Sequence, residues 1–384
     1  MPLTFISFLE SDRVSATDRL GLTVPQAVVA WSLAFLIGGA AGLIAMLACH
    51  YLLSFGGEDS AQKHGISQVK ATRIGGVAIV VYLLLHLWFQ MGLGSSTLSF
   101  EVIVLFAASL AVFMLGVFED LFAGLSAKLR FVLMLLIGAA AVVTAPGLVL
   151  QPVGIPGLDA LLKSAMPLAI LFTGLCVAFI PNAFNTADGA NGLVSGISAC
   201  VFAALATQAP QTIAPLLSSA FVGCLLFLVF NLISGRFFLG DGGAYFLGAL
   251  SGLSVIVVSN ATDVSVWWLL ALIFYPAADL IWSMARRVWA GKSPLEPDNQ
   301  HLHNLLFALL DSGPRTSMQA NTLTGLAIAF VFSGLPAVLV VVLGLSAASP
   351  AWFFGVCLQW ALYVIAYQLL TRRVCVLETT RAAV

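Results

Sequence analysis

Charge is what this sequence has least of. Of its 384 residues only 9% are Asp, Glu, Lys or Arg, and 60% are hydrophobic. Soluble globular chains carry about 25% charged residues, so an ordinary soluble fold is excluded and an integral membrane protein is indicated. A net charge of −1 and the lack of any basic run give nucleic acid no footing. The six cysteines form no CxxC pair, which removes the common zinc and dithiol signatures. They read as small core or lipid-facing side chains. Residues 1–24 lack the positive, apolar, small-residue succession of a cleavable signal and read as a surface segment before the first span. There is no convincing internal repeat, which disfavours an inverted-repeat transporter.

Long apolar runs are what is present. With about 20 apolar residues needed to cross the hydrocarbon, the runs predict an all-α polytopic bundle of eleven spans. These lie near 27–53, 74–93, 102–118, 129–145, 165–181, 193–207, 214–233, 244–260, 264–284, 321–345 and 350–371. Alternation of the loops puts 13 of the 16 Lys and Arg on one side, leaving Arg13, Arg19 and Lys163 on the other. The positive side is the cytoplasmic one, so the N-terminus is expected outside and the C-terminus inside. The organisation that follows is one transmembrane domain over 25–372 and a cytoplasmic tail over 373–384.

Five loops on the positive side, 55–73, 119–130, 182–192, 234–243 and 285–320, are not plain connectors. The first carries Lys63, His64, Lys70 and Arg73 ahead of Gly75-Gly76, a glycine-rich helix start suited to a phosphate. In the second, the adjacent carboxylates of Glu119 and Asp120 repel unless a cation separates them, and hard oxygen ligands suit magnesium. Lys128 and Arg130 open the helix that follows. The third reads "PNAFNTADGANGL", with Asn182, Asn185, Asp188 and Asn191 forming a hydrogen-bonding surface after a helix expected to end at Pro181. The fourth, "FFLGDGGAYFLG", sets Asp241 among glycines that allow close backbone approach. Asn231 lies just before it, and Phe238 is placed to stack on a flat ring. The fifth contains "DNQHLH", where Asp298 or Asn299 suits an N-cap. His301 and His303, two apart, would face different sides of a regular helix, against a zinc pair and compatible with donation to phosphate. Taken together, the loops describe a site for a magnesium-bound, phosphorylated, partly aromatic substrate meeting something from the bilayer.

In order and spacing, "KHG" with "TRIGG", "GVFEDLF" with "KLRF", "NAFNTADGANGL", "FFLGDGGAYFLG" and "GKSPLEPDNQHLH" resemble the polyprenyl-phosphate N-acetylhexosamine-1-phosphate transferases over roughly residues 25–372. The resemblance implies a multi-pass protein of the bacterial cytoplasmic membrane with its site on the cytoplasmic face. It implies Mg2+, with Mn2+ as a substitute, and transfer of a sugar-1-phosphate from a UDP-N-acetylhexosamine to undecaprenyl phosphate with release of UMP, starting a surface polysaccharide. A homodimer is compatible with it. Position by position, it makes Asp241 the metal-binding acid, with Glu119 and Asp120 the acidic pair beside it. It makes Glu119, Asp120, Asp188, His301 and His303 catalytic, with Glu119 and Asp120 also metal ligands and the histidines on the pyrophosphate. It makes Phe238 a uracil-stacking ring and Asn231 a nucleotide contact. Lys63, His64, Arg73, Lys128, Arg130, Asn182, Asn185 and Asn191 are expected to bind substrate.

Two positions depart from the family pattern, Glu119 and Asn191 both standing where Asp is usual. The expected mechanism is direct in-line attack by the lipid phosphate, which is largely dianionic at neutral pH, with Asp120 orienting the acceptor or binding metal through water. A secondary transporter is the first alternative. It is disfavoured because the polar residues gather at one face, and Asp279, the main acid within a span, lies near that face. A CDP-alcohol phosphotransferase is the second, disfavoured because the residues after Asp188-Gly189 offer no Arg, and a non-catalytic UDP-sugar-binding relative is the third.

Overall fold

The computed structural model describes residue 73, residues 75–382 apart from 93–97, 123, 235, 236, 295 and 297, and scattered positions between 36 and 48. Among the described residues the architecture is helical. In chain order the helices are α1 (Gly75–Gly92), α2 (Phe100–Phe122), α3 (Ala127–Thr144), α4 (Pro156–Ser164), α5 (Met166–Ala187), α6 (Leu193–Ala206) and α7 (Ala214–Ser234). They continue as α8 (Gly240–Ala261), α9 (Val266–Leu272), α10 (Phe274–Trp289), α11 (Leu302–Asp311), α12 (Ser317–Ala329), α13 (Leu335–Val341) and α14 (Trp352–Ala382). A π turn over Phe330–Gly334 joins α12 to α13.

Seven of these stretches are long and apolar enough to cross a membrane, eight if the bent pair α9–α10 is one span. A polytopic membrane protein stands, but the described residues do not reproduce a count of eleven. The expected first span falls largely outside them. The expected span 193–207 is α6, whose 14 residues rise about 21 Å against about 30 Å of hydrocarbon; it is buried along most of its length by other helices. The expected continuous span 264–284 is broken, with α9 and α10 meeting at 77°. Gln359 of α14 bridges the break and the π turn, its Nε2 donating to Ala271 O (3.2 Å) and Phe332 O (2.8 Å). Carbonyls freed by irregular helix need such partners where water is absent.

At the centre stands α8, 83% of whose apolar window is buried inside the protein. Its closest packing is with α2, because both present glycine at the crossing. A methyl built on Gly116 would lie 2.5 Å from Gly242 Cα, and one on Gly76 would lie 2.3 Å from Gly243 Cα. Small residues let apolar helices approach to backbone contact. The close backbone approach expected of these glycines is thus made, at Gly242 and Gly243, to neighbouring helices.

Candidate active site

Helix ends build the site. The C-terminal turns of α2 and α5 meet the N-terminal turns of α1, α3 and α8 at one end of the bundle. Several boundaries differ from the sequence reading. Glu119 and Asp120 lie inside α2, Asn182 and Asn185 inside the last turns of α5, and Asp241 in the first turn of α8. Pro181 does not end α5. It sits within the helix, where its Cα meets Gly248 of α8.

Asp120 holds this end together. Its Oδ1 and Oδ2 accept the backbone N–H groups of Asp241 (3.0 Å) and Gly242 (2.9 Å). These are donors that a helix start leaves without intrahelical partners, so α2 supplies the cap of α8. Gly240, at φ +74°, makes the turn into that helix, where a Cβ would meet Arg73 O at 2.5 Å and Asp120 Oδ2 at 2.8 Å. The carbonyls of Phe238 and Leu239 accept the N–H groups of Gly75 and Gly76, which ties the start of α1 to the same turn.

Charges of both signs surround the cap. Arg130 Nη1 lies 3.1 Å from Glu119 Oε1 and 3.2 Å from Asp241 Oδ2. Glu119 also accepts the N–H of Leu125 at 3.0 Å through Oε2, closing the turn between α2 and α3. Arg73 Nη1 stands 3.8 Å from Asp120 Oδ1. Asp188, at the end of α5, feels Asp241, Arg73 and Asp120. Burial, and then the Asp241 and Asp120 carboxylates, push its carboxyl up to about 7 against the pull of Arg73. Four carboxyls thus meet two described guanidiniums, an excess of acid that suits a divalent cation.

The histidine segment reaches the same place from the other side. His301 is itself the N-cap of α11, with extended backbone at φ −80°, ψ 155°. It therefore does not obey helical spacing, and its ring stacks parallel on His303 at 5.4 Å, correcting the expectation of different faces. His303 Nε2 lies against Gly189, where a Cβ would meet it at 2.2 Å, so the motif abuts the Asp188-Gly189 turn. Its Nδ1 pairs with Tyr275 OH at 2.9 Å. Asp298 does not cap α11. It binds Arg286 and accepts from Ser283 (2.5 Å) and the Gln300 N–H (3.0 Å). These hydrogen bonds outweigh its burial and hold its carboxyl at about 2.

Other expected residues have different surroundings. Asn231 is buried, its Nδ2 donating to Phe237 O at 2.7 Å. Asn191 is buried too, and its N–H donates to Asn321 Oδ1 of α12 at 2.7 Å. Asn182 donates to Ala178 O at 2.8 Å, Asn185 lies 3.4 Å from Tyr245 OH, and Phe238 is half-buried. Lys128 is exposed. Lys63 and His64 lie outside the described residues. Sequence reasoning missed the supports Tyr245, Tyr275 and Tyr363, and noted Asp279 as an acid within a span without giving it a part in the site. An acid inside an apolar run was the signal available for Asp279.

A helical membrane bundle with an acid-rich, arginine-pinned cluster at one end is the class this geometry defines. Comparison with known proteins carries it further. Residues 102–259 match the family model described as Glycosyl transferase family 4, a stretch that holds the acidic pair, the Asn-rich segment and Asp241. The chain is 27% identical over 266 residues to a probable undecaprenyl-phosphate N-acetylglucosaminyl 1-phosphate transferase of Bacillus subtilis, covering 67% of this chain and 71% of that protein. It is 25% identical over 339 residues to the decaprenyl-phosphate N-acetylglucosaminephosphotransferase of Mycolicibacterium smegmatis, covering 78% and 80%. A third relative, the undecaprenyl-phosphate alpha-N-acetylglucosaminyl 1-phosphate transferase of Yersinia pestis, is 32% identical over 234 residues, 58% of this chain and 62% of that protein. Over the stretches matched, the chain is similar to polyprenyl-phosphate sugar-1-phosphate transferases, in keeping with the resemblance read from the motifs.

Proposed function

We propose that this protein transfers an N-acetylhexosamine-1-phosphate from its UDP-sugar to undecaprenyl phosphate, releasing UMP, on the cytoplasmic side of a bacterial inner membrane. The product would begin a surface polysaccharide. The observation that carries the reading is the convergence of Asp120, Asp188, Asp241 and the histidine segment at one end of an apolar bundle. There a water-soluble nucleotide and a lipid phosphate can both arrive. Eleven spans with the N-terminus outside remain the topology that the distribution of Lys and Arg supports.

The donor set fits magnesium. It is all oxygen, from Asp241 with Glu119 and Asp120 beside it, and magnesium binds through a few carboxylates while keeping waters and substrate phosphates. Among the described residues no three His, Cys, Asp or Glu form a ready metal-binding group, so substrate phosphates and water would have to complete the shell. Bound there, the ion would neutralise pyrophosphate charge. Arg130, shared by Glu119 and Asp241 in this structure, would exchange one carboxylate for a phosphate. Asp120 is read as a positioning residue, since both its oxygens already accept backbone N–H groups.

The test is UMP release by the purified protein from a panel of UDP-N-acetylhexosamines, with undecaprenyl phosphate and magnesium, beside Asp241→Asn. UMP dependent on lipid, metal and Asp241 is the expected result, and the best donor names the sugar. No UMP from any donor by folded protein would overturn the reading. Isolation of a phosphosugar bound covalently to Asp120 would overturn the in-line mechanism.

A further inference from the structure

Asp279 is a carboxylate with 1% exposure, on α10 just past the break from α9. A buried carboxylate persists only where it is paired and hydrogen-bonded. Three donors meet this one. Tyr363 OH of α14 donates to Oδ1 at 2.8 Å, and the Leu302 N–H donates to Oδ1 at 3.1 Å. His301 Nδ1 stands 2.6 Å from Oδ2. The ring is buried, its side chain 8% exposed, and its other nitrogen, Nε2, has no hydrogen-bond partner among the described residues. Beneath the ring the approach loop is lashed down: Arg286 binds Asp298 and Gln300 Oε1, Arg287 binds Glu296 O, and Tyr367 OH donates to Gln300 O at 3.1 Å. The His303 ring fixes the other face.

We infer that Asp279 is a positioning residue, gripping His301 through Nδ1 and Tyr363 so that Nε2 is presented as a fixed hydrogen-bond donor to a phosphate oxygen of the substrate. The ligand chemistry rests on the proposed function above; the grip on His301 does not. A carboxylate on Nδ1 fixes tautomer and orientation and favours the doubly protonated ring. The groups facing His301 are Asp279 and Arg286 on α10, Asp298 in the segment that leads to α11, His303 beside it and Tyr363 behind Asp279. Burial opposes protonation and Asp279 outweighs it, so the His301 imidazole is held above its ordinary range. No atom of Asp279 needs to touch substrate. The effect of a mutation there on transfer would run through His301.

The experiment uses the full chain in lipid nanodiscs with 15N-labelled histidine. Only five histidines are present, and His301 is assigned by its loss in His301→Gln. The expected result is a His301 ring that titrates above the ordinary histidine pKa of about 6.5. In Asp279→Asn its titration should move to lower pH, and in Asp279→Glu it should largely return. Transfer should follow the same series. Loss of kcat/KM on the order of 10- to 100-fold is usual when a carboxylate that orients a functional histidine is removed, and it should come with an optimum displaced to lower pH. Wild-type His301 that titrates at or below the ordinary histidine range, or a titration unmoved by Asp279→Asn, would overturn the inference. The wild-type titration decides even if Asp279→Asn does not fold. Because the spectra need no turnover, a protein that transfers nothing would sink the proposed function while the Asp279–His301 assignment was still decided.

Discussion

Gly116→Ala places one methyl group where α2 crosses α8, four residues before Asp120. The new Cβ would lie 2.5 Å from Gly242 Cα, 2.6 Å from Gly242 N and 2.7 Å from the carbonyl carbon of Asp241. Ordinary contact begins near 3.4 Å, and every atom met is backbone, so the helices must part by about 1 Å. Overpacking of this kind costs about 1–3 kcal/mol, offset by roughly 1 kcal/mol of helix propensity. The net effect on melting is therefore modest. The effect on chemistry is not. The bonds from Asp241 N and Gly242 N to Asp120, at 3.0 and 2.9 Å, would open toward 4 Å and Asp241 would leave its place. Misplacement by about 1 Å can cost on the order of 100-fold in rate. The assay is UMP release beside a thermal melt. Gly157→Ala in α4 is the control, since nothing lies within 4 Å of a Cβ there. Gly116→Ala that keeps activity within about twofold of the control would refute the reasoning that this crossing sets the site.

Arg130→Met should strand Glu119 and Asp241 without their shared cation; removing one partner of a buried pair costs about 3–5 kcal/mol. For this partly exposed pair the loss is smaller, and a lower melting temperature that added magnesium partly restores is the expected reading. Asp188 gives a pH prediction. Its carboxyl is raised to about 7 in the folded protein from 3.8, so between those values the folded state holds a proton that the unfolded state has released. Stability of the ligand-free protein should therefore fall as pH rises from 4 to 7, and Asp188→Asn should flatten that slope in a pH series of melts. Gln359→Leu removes the amide bridging Ala271 O and Phe332 O. Leaving buried carbonyls unsatisfied costs about 1–3 kcal/mol, measurable as a lower melting point. Asn321→Leu, which removes the acceptor for Asn191 N–H, should raise KM for the nucleotide sugar more than it lowers kcat if the 188–192 turn binds donor. Equal loss in both would refute that assignment.

Composition and apolar run length were enough for a polytopic helical membrane protein, because crossing hydrocarbon leaves few alternatives. Five short polar segments in a chain this apolar were enough to name the residues from which a site would be made. Asp120, Asp188, Asp241 and Arg130 could be picked out because isolated charges beside apolar runs need a reason. Their helix placement was less legible. Pro181 and the Asn-rich stretch read as loop, since local propensity outweighs packing in a sequence reading; tertiary packing against Gly248 carries the helix through the proline.

What the sequence determined by itself is the solvent, the helical class and which polar residues stand beside apolar runs, because each follows from local composition. What only the tertiary structure decided is the use of those residues. Asp120 became a cap for a helix more than a hundred residues later, the glycines a helix crossing, and Asp279 the anchor of His301. The physical reason is range. Hydrophobicity and propensity act along the chain, whereas a hydrogen bond or a backbone contact exists only after distant segments have been packed to within about 3 Å of each other.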